Sequence, residues 1–226
     1  HLSFRRQRQL CIRDCRYCCR DRPFRTPSPN FRRRGARDAP RLLPPAAGHG
    51  GFFHVTDHIL TAEQQLVDAV TQMRDANITD LVLDLRYNRG GYLYLANQVS
   101  YMIAGAGVSG QTFNSLQFNE KNPGVNPVTG GAVSADAFLT TTTENAAAAG
   151  AALPTLALPQ PRVFVLTTGS TCSASEAIIN GLRGVGVEVI QFGSTTCGKP
   201  YGFYPVSYTH LRAHETPEHR GWRLVV

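Results

Sequence analysis

Lysine is almost missing from this 226-residue chain: Lys121 and Lys199 are the only two, against 21 arginines. Long apolar runs are missing as well, and nothing approaches the roughly twenty consecutive residues of a transmembrane helix, so no membrane-spanning segment is expected. Charged residues are sparse at 17%, while 42% of the chain is hydrophobic, the balance of a globular domain and not of a disordered one. Acidic residues are scarce enough to leave a formal charge of +7, which taken whole points to nucleic acid. Its distribution removes that reading. Residues 1–50 carry 13 Arg against 3 Asp, a net +10; residues 51–205 carry 7 basic against 11 acidic groups, a net −4; residues 206–226 contribute +1. The central segment is mildly acidic, and no nucleic-acid partner is expected for it.

The first fifty residues also hold four of the six Cys and six of the fourteen Pro, and show neither a 3.6- nor a 2-residue apolar period. They read as an unstructured basic tail, expected to be non-native. The first residue is His, so the parent chain is expected to start further upstream, and no secretory leader is legible. Cys11, Cys15, Cys18 and Cys19 lack the separated C-x₂-C pairs of a structural zinc site, and no metal is assigned to them.

From Gly51 a different texture begins. Gly51 to Val55 reads as a strand, and Thr61 with Gln64 reads as a capping box for a helix presenting Leu66, Ala69, Val70 and Met73 on one face. The β-rich run Leu81–Arg86 follows, then the turn Asn88-Arg89-Gly90-Gly91, then a helix from Tyr92 to Ala104. Residues 105–160, rich in Gly, Pro and Ala, read as an insertion or surface excursion, with a strand over Thr112–Phe118. Strand Arg162–Thr167, helix Ser173–Arg183 and strand Val187–Phe192 complete four strands alternating with three helices, an α/β domain over residues 51–205.

Three segments could carry chemistry. In Gly169-Ser170-Thr171-Cys172-Ser173-Ala174-Ser175-Glu176, a serine opens a helix and so gains its free N–H groups, although Ser173 with Glu176 three residues on is equally a capping box. Lys199, one β-step later in Thr196-Cys197-Gly198-Lys199-Pro200, reads alone as a solvated turn residue. Gly90 and Gly91 form a turn whose backbone can approach a ligand closely. Together they supply a nucleophile, a base and oxyanion donors.

Leu81-Val82-Leu83-Asp84-Leu85-Arg86-Tyr87-Asn88-Arg89-Gly90-Gly91, then Thr171-Cys172-Ser173-Ala174-Ser175-Glu176, then Thr196-Cys197-Gly198-Lys199 resembles the C-terminal processing, or tail-specific, serine proteases in motif content and order. The resemblance implies an incomplete ClpP/crotonase-like core of repeated strand-helix units and a cofactor-free Ser/Lys dyad acting on polypeptide. Ser173 is then the nucleophile, Lys199 the general base, and Gly91, with Gly90 beside it, and Ala174 the oxyanion positions. A lysine accepts a proton near neutral pH only when burial disfavours its ammonium form, so a dry pocket is expected around Lys199. The resemblance also implies an extracytoplasmic location.

The departures are Phe203, where many relatives carry a Gln that orients the lysine, and the lack of a PDZ-like segment upstream in this sequence. A Ser/Lys/Gln triad is therefore not implied. Cys197 either pairs with Cys172 or has lost its partner. Beyond Pro205, Ser207 to His219 resembles a translated sequencing adapter, as does Arg6 to Asp14, so residues 206–226 are expected to be non-native, the catalytic domain partial, and the chain as it stands to fold poorly or be inactive. His210, His214 and His219 lack the H-E-x-x-H order. His54 and His58 receive no role. The competing reading is a non-catalytic or acyl-CoA-binding crotonase-like module that uses the Gly turn for a carbonyl oxygen.

Overall fold

The computed structural model describes residues 41–42, 50–203 and 222–225, all in the second of the chain's two units, Ala39–Val226. The expectations placed on the four N-terminal cysteines and on His210, His214 and His219 fall outside the described residues. In chain order the strands are β1 (Arg41–Leu42), β2 (Gly50–His54), β3 (Asp80–Asp84), β4 (Thr112–Gln117), β5 (Ala135–Ala137), β6 (Arg162–Thr167), β7 (Glu188–Gly193), β8 (Tyr201–Gly202) and β9 (Trp222–Val225). The α-helices are α1 (Glu63–Asp75), α2 (Leu93–Ala104) and α3 (Ala174–Gly184).

The main sheet has the order β1-β2-β3-β6-β7. Its last four strands run parallel, with β1 antiparallel at one edge. This is the strand-helix core expected from the alternation of apolar segments. Val163, Val165 and Thr167 alternate into the interior along β6, and Leu81 and Leu83 do so along β3. Leu66, Ala69, Val70 and Met73 form the buried stripe of α1, as their spacing predicts, and Ala174, Ala177, Ile178 and Leu182 form that of α3.

The start of α1 differs from expectation. Leu60–Ala62 winds a 3₁₀ turn first, and α1 is capped by Ala62 with no side-chain bond. Gln64 does not close a capping box because its amide is engaged elsewhere: Nε2 donates to Asp68 at 2.7 Å and Oε1 accepts the Ala147 N–H at 2.8 Å.

Residues 105–160 are more than a surface excursion. They contribute β4 and β5 to a second sheet of order β5-β4-β9-β8, and Phe113, Phe138, Leu153 and Leu156 are buried with the main core. The rings of Phe113 and Phe138 meet edge to face, 5.3 Å between centroids. Polar side chains on the first two helices hold this segment down: the buried Glu63 carboxylate accepts the Thr143 N–H at 2.7 Å, and Asn97 Oδ1 accepts the Leu139 N–H at 2.7 Å. Trp222–Val225, inside the stretch expected to lie outside the fold, forms β9 between β4 and β8.

Gly181 is the point where α3 receives the Phe113 ring, and a Cβ there would overlap its Cδ2 and Cε2 atoms. Gly181→Ala is therefore expected to destabilise the domain by about 1–3 kcal/mol despite the better helix propensity of Ala. Urea unfolding checks this, and adding Phe113→Leu should recover part of the loss.

Candidate active site

The sheet order decides which loops meet. β3, β6 and β7 are adjacent and parallel, so the segments leaving their carboxyl ends emerge on the same side, the usual place for a site on an open parallel sheet. Gly90 and Gly91 follow β3, Ser173 follows β6 and Lys199 follows β7. The serine segment is thus the middle one of the three.

The exit from β3 begins with an ion pair. Burial pushes the Asp84 carboxyl up, but the Arg86 guanidinium, with Nη2 at 2.8 Å from Oδ2 and Nε at 3.0 Å from Oδ1, outweighs this and holds it below the ordinary carboxylate range. Two residues on, the fully buried Asn88 ties the site together. Its Nδ2 donates to the Val55 carbonyl at 2.9 Å, its Oδ1 accepts the Gly90 N–H at 2.8 Å, and its own carbonyl accepts the Cys172 N–H at 3.1 Å and the Ser175 hydroxyl at 3.2 Å.

Both glycines have backbone that side chains resist, with φ of +99° at Gly90 and +137° at Gly91. A Cβ on Gly90 would lie 2.8 Å from Ser173 Cβ and 3.0 Å from the Ala174 nitrogen, so its bare Cα rests against the serine turn. A Cβ on Gly91 would overlap the His58 carbonyl. His58 runs parallel to Gly91, giving its N–H to the Gly90 carbonyl at 3.1 Å and accepting the Tyr92 N–H at 2.8 Å. The Gly91 N–H faces away from this pairing and, among the described residues, has no partner.

Ser173 sits at φ 57°, ψ −116°, a conformation few residues other than Gly adopt. The strain lies at the junction where the chain turns sharply from the β6 loop into α3. The capping box read from the sequence is present here, with Glu176 returning its carboxylate to the Ser173 N–H at 2.8 Å. The Ala174 N–H, in the first turn of α3, has no partner among the described residues, as at any helix start.

Glu176 does more than cap. Its Oε2 also accepts the Lys199 N–H at 2.9 Å, and its Oε1 accepts the Gly198 N–H and the Thr196 hydroxyl, each at 2.7 Å. One carboxylate therefore spans the serine and lysine segments, whose main chains lie within two hydrogen-bond lengths of each other. The Cys172–Cys197 disulfide, Cα atoms 5.2 Å apart, is a second tether, and it answers which partner Cys197 takes. Cys172, Glu176 and Cys197 converge as a metal site would, but both sulfurs are consumed by the disulfide, leaving no thiolate ligand.

The dry pocket expected around Lys199 is not formed by the described residues. Lys199 is exposed, and its ammonium lies over the Phe203 ring, 5.0 Å from the centroid. The reason is the path of the chain: most of Ser194–Lys199 runs along the surface beyond β7, tied inward by Glu176, by the disulfide, by the Cys197 N–H on the Thr171 carbonyl at 3.0 Å and by two bonds between Ser194 and Thr167.

His58, given no role from the sequence, is at the centre of the site. It is completely buried, and its Nδ1 meets Asn88 Oδ1 at 3.2 Å. Desolvation lowers its pKa from 6.5 to about 4, against the opposing effects of the Asn88 and Gly90 hydrogen bonds. A lone histidine beyond a strand carries no sequence signal of this; only its pairing with Gly91 shows it.

The family model for peptidase family S41 matches residues 50–209. Solved structures with a similar fold include an S41 protease from Bacteroides fragilis NCTC 9343 (TM-score 0.59, 23% identity, 83% of this chain and 44% of that one). A lipoprotein from Streptococcus agalactiae is also similar (0.50, 14%, 82% and 56%). The photosystem II D1 C-terminal processing protease aligns at 0.48 and 20%, over 77% and 37%. The chain thus spans about half or less of the length of these proteins. No curated protein sequence matches it.

Two outcomes follow from this geometry. Glu176→Ala leaves three N–H groups and a hydroxyl without their acceptor, and is expected to cost about 1–3 kcal/mol of stability, with Glu176→Gln milder; thermal unfolding of both variants checks this. His58 should make stability fall on acidification. From pH 6.5 to 4 the unfolded chain binds a proton that the folded chain refuses, so about 3 kcal/mol is lost across that window and none above it. Urea titrations at pH 7, 5.5 and 4.5 read the effect as the difference in slope between the wild type and His58→Leu.

Proposed function

Since the chain belongs to peptidase family S41, with a ClpP/crotonase-like fold, we propose that it is the catalytic region of a serine endopeptidase that cuts extended or unfolded polypeptide through a Ser173/Lys199 dyad. The observation that carries this reading is the strained turn at Ser173, set between two peptide N–H groups that no described residue claims. A capping serine needs no such backbone, because an N-cap residue ordinarily lies in the β region. A nucleophile gains from it, since the sharp turn from strand loop to helix lifts the hydroxyl clear of the sheet.

In this mechanism Lys199 takes the proton as Ser173 Oγ attacks the scissile carbonyl. The N–H groups of Gly91 and Ala174 receive the charge that develops on the carbonyl oxygen, which makes their effect greater in the transition state than in the ground state. Collapse to an acyl-enzyme expels the amine with the proton held by Lys199, and water then attacks the ester to regenerate the serine. Lys199 must lose its water to act as a base. A polypeptide laid across the three loops supplies that cover, with the Phe203 ring already on one side of the ammonium. The need for a substrate that lies flat over an open site favours extended, tail-like chains.

The Cys172–Cys197 disulfide supports an oxidising, extracytoplasmic setting. Among the described residues no helix is long and apolar enough to cross a membrane.

The dyad is tested with Ser173→Ala and Lys199→Ala in the intact catalytic domain of the parent protein, using unfolded casein as substrate and a fluorophosphonate probe as a second readout. Ser173→Ala should abolish cleavage and labelling, and Lys199→Ala should lower both by about 10²-fold or more, the scale of a lost general base. Cleavage that persists in both variants overturns the dyad. Thioester binding without labelling of Ser173 would point instead to an acyl-CoA-binding module.

A further inference from the structure

The Asn88 amide has only one orientation that satisfies its neighbours: its nitrogen faces the Val55 carbonyl and its oxygen faces the Gly90 N–H. The oxygen that His58 meets is therefore an acceptor, so His58 Nδ1 must carry the proton and donate. Nε2 is then a bare lone pair, buried and with no hydrogen-bond partner among the described residues. Packing alone does not call for such a group, because an apolar ring would fill the space without leaving a lone pair unmet. What the imidazole adds is a donor at Nδ1.

That donor acts on the oxyanion loop from one side while the His58 main chain acts from the other. Asn88 Oδ1, held by His58, fixes the Gly90 N–H; the His58 N–H fixes the Gly90 carbonyl. The Gly90 carbonyl and the Gly91 N–H belong to one peptide unit. Anchoring its oxygen sets the direction of its hydrogen, and a hydrogen bond accepted at the oxygen strengthens the N–H as a donor.

We propose that His58 is a positioning residue of the oxyanion hole, which through Asn88 and its own main chain aims the Gly91 N–H at the carbonyl oxygen of the substrate. The proposal rests on the reading of Gly91 as an oxyanion donor.

Two variants and one spectroscopic measurement test it. His58→Leu keeps most of the volume without a donor, while His58→Asn returns an N–H close to the Nδ1 position. On an unfolded peptide substrate, His58→Leu should lower kcat about 10- to 100-fold, somewhat less than the loss of an oxyanion donor itself. KM should stay within about twofold, binding of a peptide boronic acid should weaken in parallel with kcat, and His58→Asn should recover most of both. A kcat within about twofold of wild type in His58→Leu overturns the proposal, as does an equal loss in the Leu and Asn variants. Should His58→Leu not fold, the comparison passes to His58→Asn against His58→Gln, whose amide reaches the Nε2 position; equal rates there overturn it. Nitrogen-15 spectra of the imidazole in the full chain need no turnover: the Nδ1–H tautomer is expected at pH 7, and the Nε2–H tautomer overturns the proposal. Undiminished cleavage by Ser173→Ala would instead overturn the dyad, and the tautomer would still report on His58 by itself.

Discussion

The site depends on one buried amide. Asn88 is the only side chain described that bonds the exit of β2, through Val55, and the glycine turn, through Gly90, while its own carbonyl holds the start of the serine helix through Cys172 and Ser175. Each of these bonds is modest, of order 1 kcal/mol net. Their joint effect is geometric: two loops from adjacent strands cannot slide past each other without leaving a buried donor or acceptor unmet, at a cost of about 1–3 kcal/mol for each one. The proposed oxyanion hole, lined by peptide N–H groups, needs that kind of restraint, because its donors are main-chain atoms with no side chain to adjust their aim.

The lysine side of the site is held in another way. Among the described residues no buried side-chain amide reaches it; the Glu176 carboxylate, the Cys172–Cys197 disulfide and the Cys197 N–H on the Thr171 carbonyl cross from the serine segment to a loop that lies mostly on the surface. Charge-assisted bonds to main-chain N–H groups are stronger than neutral ones, and four donors share the two oxygens of Glu176. The capping carboxylate that a helix start commonly carries here also fixes the distance between two strands' loops. Strain at Ser173, of order 1–3 kcal/mol, persists because Ser173 and the residue before it are held independently: Cys172 by Asn88 and the disulfide, and Ser173 by Glu176.

Much of this architecture is legible in the sequence, for identifiable reasons. The four parallel strands and three helices stand within a residue or two of their expected bounds because their apolar residues follow the period of a strand or a helix without interruption. Ser173, Lys199, Gly90 and Gly91 could be singled out because strand, loop and helix recur in an order that brings the three loops to one edge of the sheet. Where that reasoning failed, the deciding contacts were distant in sequence. Thr61 and Gln64 have the composition of a capping box, but Gln64 is claimed by Asp68 and by the Ala147 N–H, which lies 83 residues away. Residues 105–160 have too little periodicity to show that Phe113 and Phe138 reach the core. His58 could not be read at all, since its role is defined by Asn88, thirty positions on.

If Lys199 is the base of the proposed Ser173/Lys199 dyad, its position bears on how such a site separates binding from chemistry. An ammonium in water is a poor base, and over an aromatic face it remains a favoured cation. Were it buried permanently, the cost of desolvation would fall on the folded enzyme at all times; left exposed, it falls only when a substrate covers the loop. The binding energy of a chain lying across Tyr87, Tyr92 and Phe203, all exposed aromatics, can then be spent on removing water from the lysine, so that the interaction favouring the reaction appears only with substrate in place. On the other side of Ser173 no such change is needed. Among the described residues the Gly91 and Ala174 N–H groups are already unclaimed, and Asn88 and His58 already hold the peptide that carries the first of them. In the proposed mechanism the oxyanion side is set in advance and the base side waits for substrate, an asymmetry that follows from where the chain places its buried hydrogen bonds.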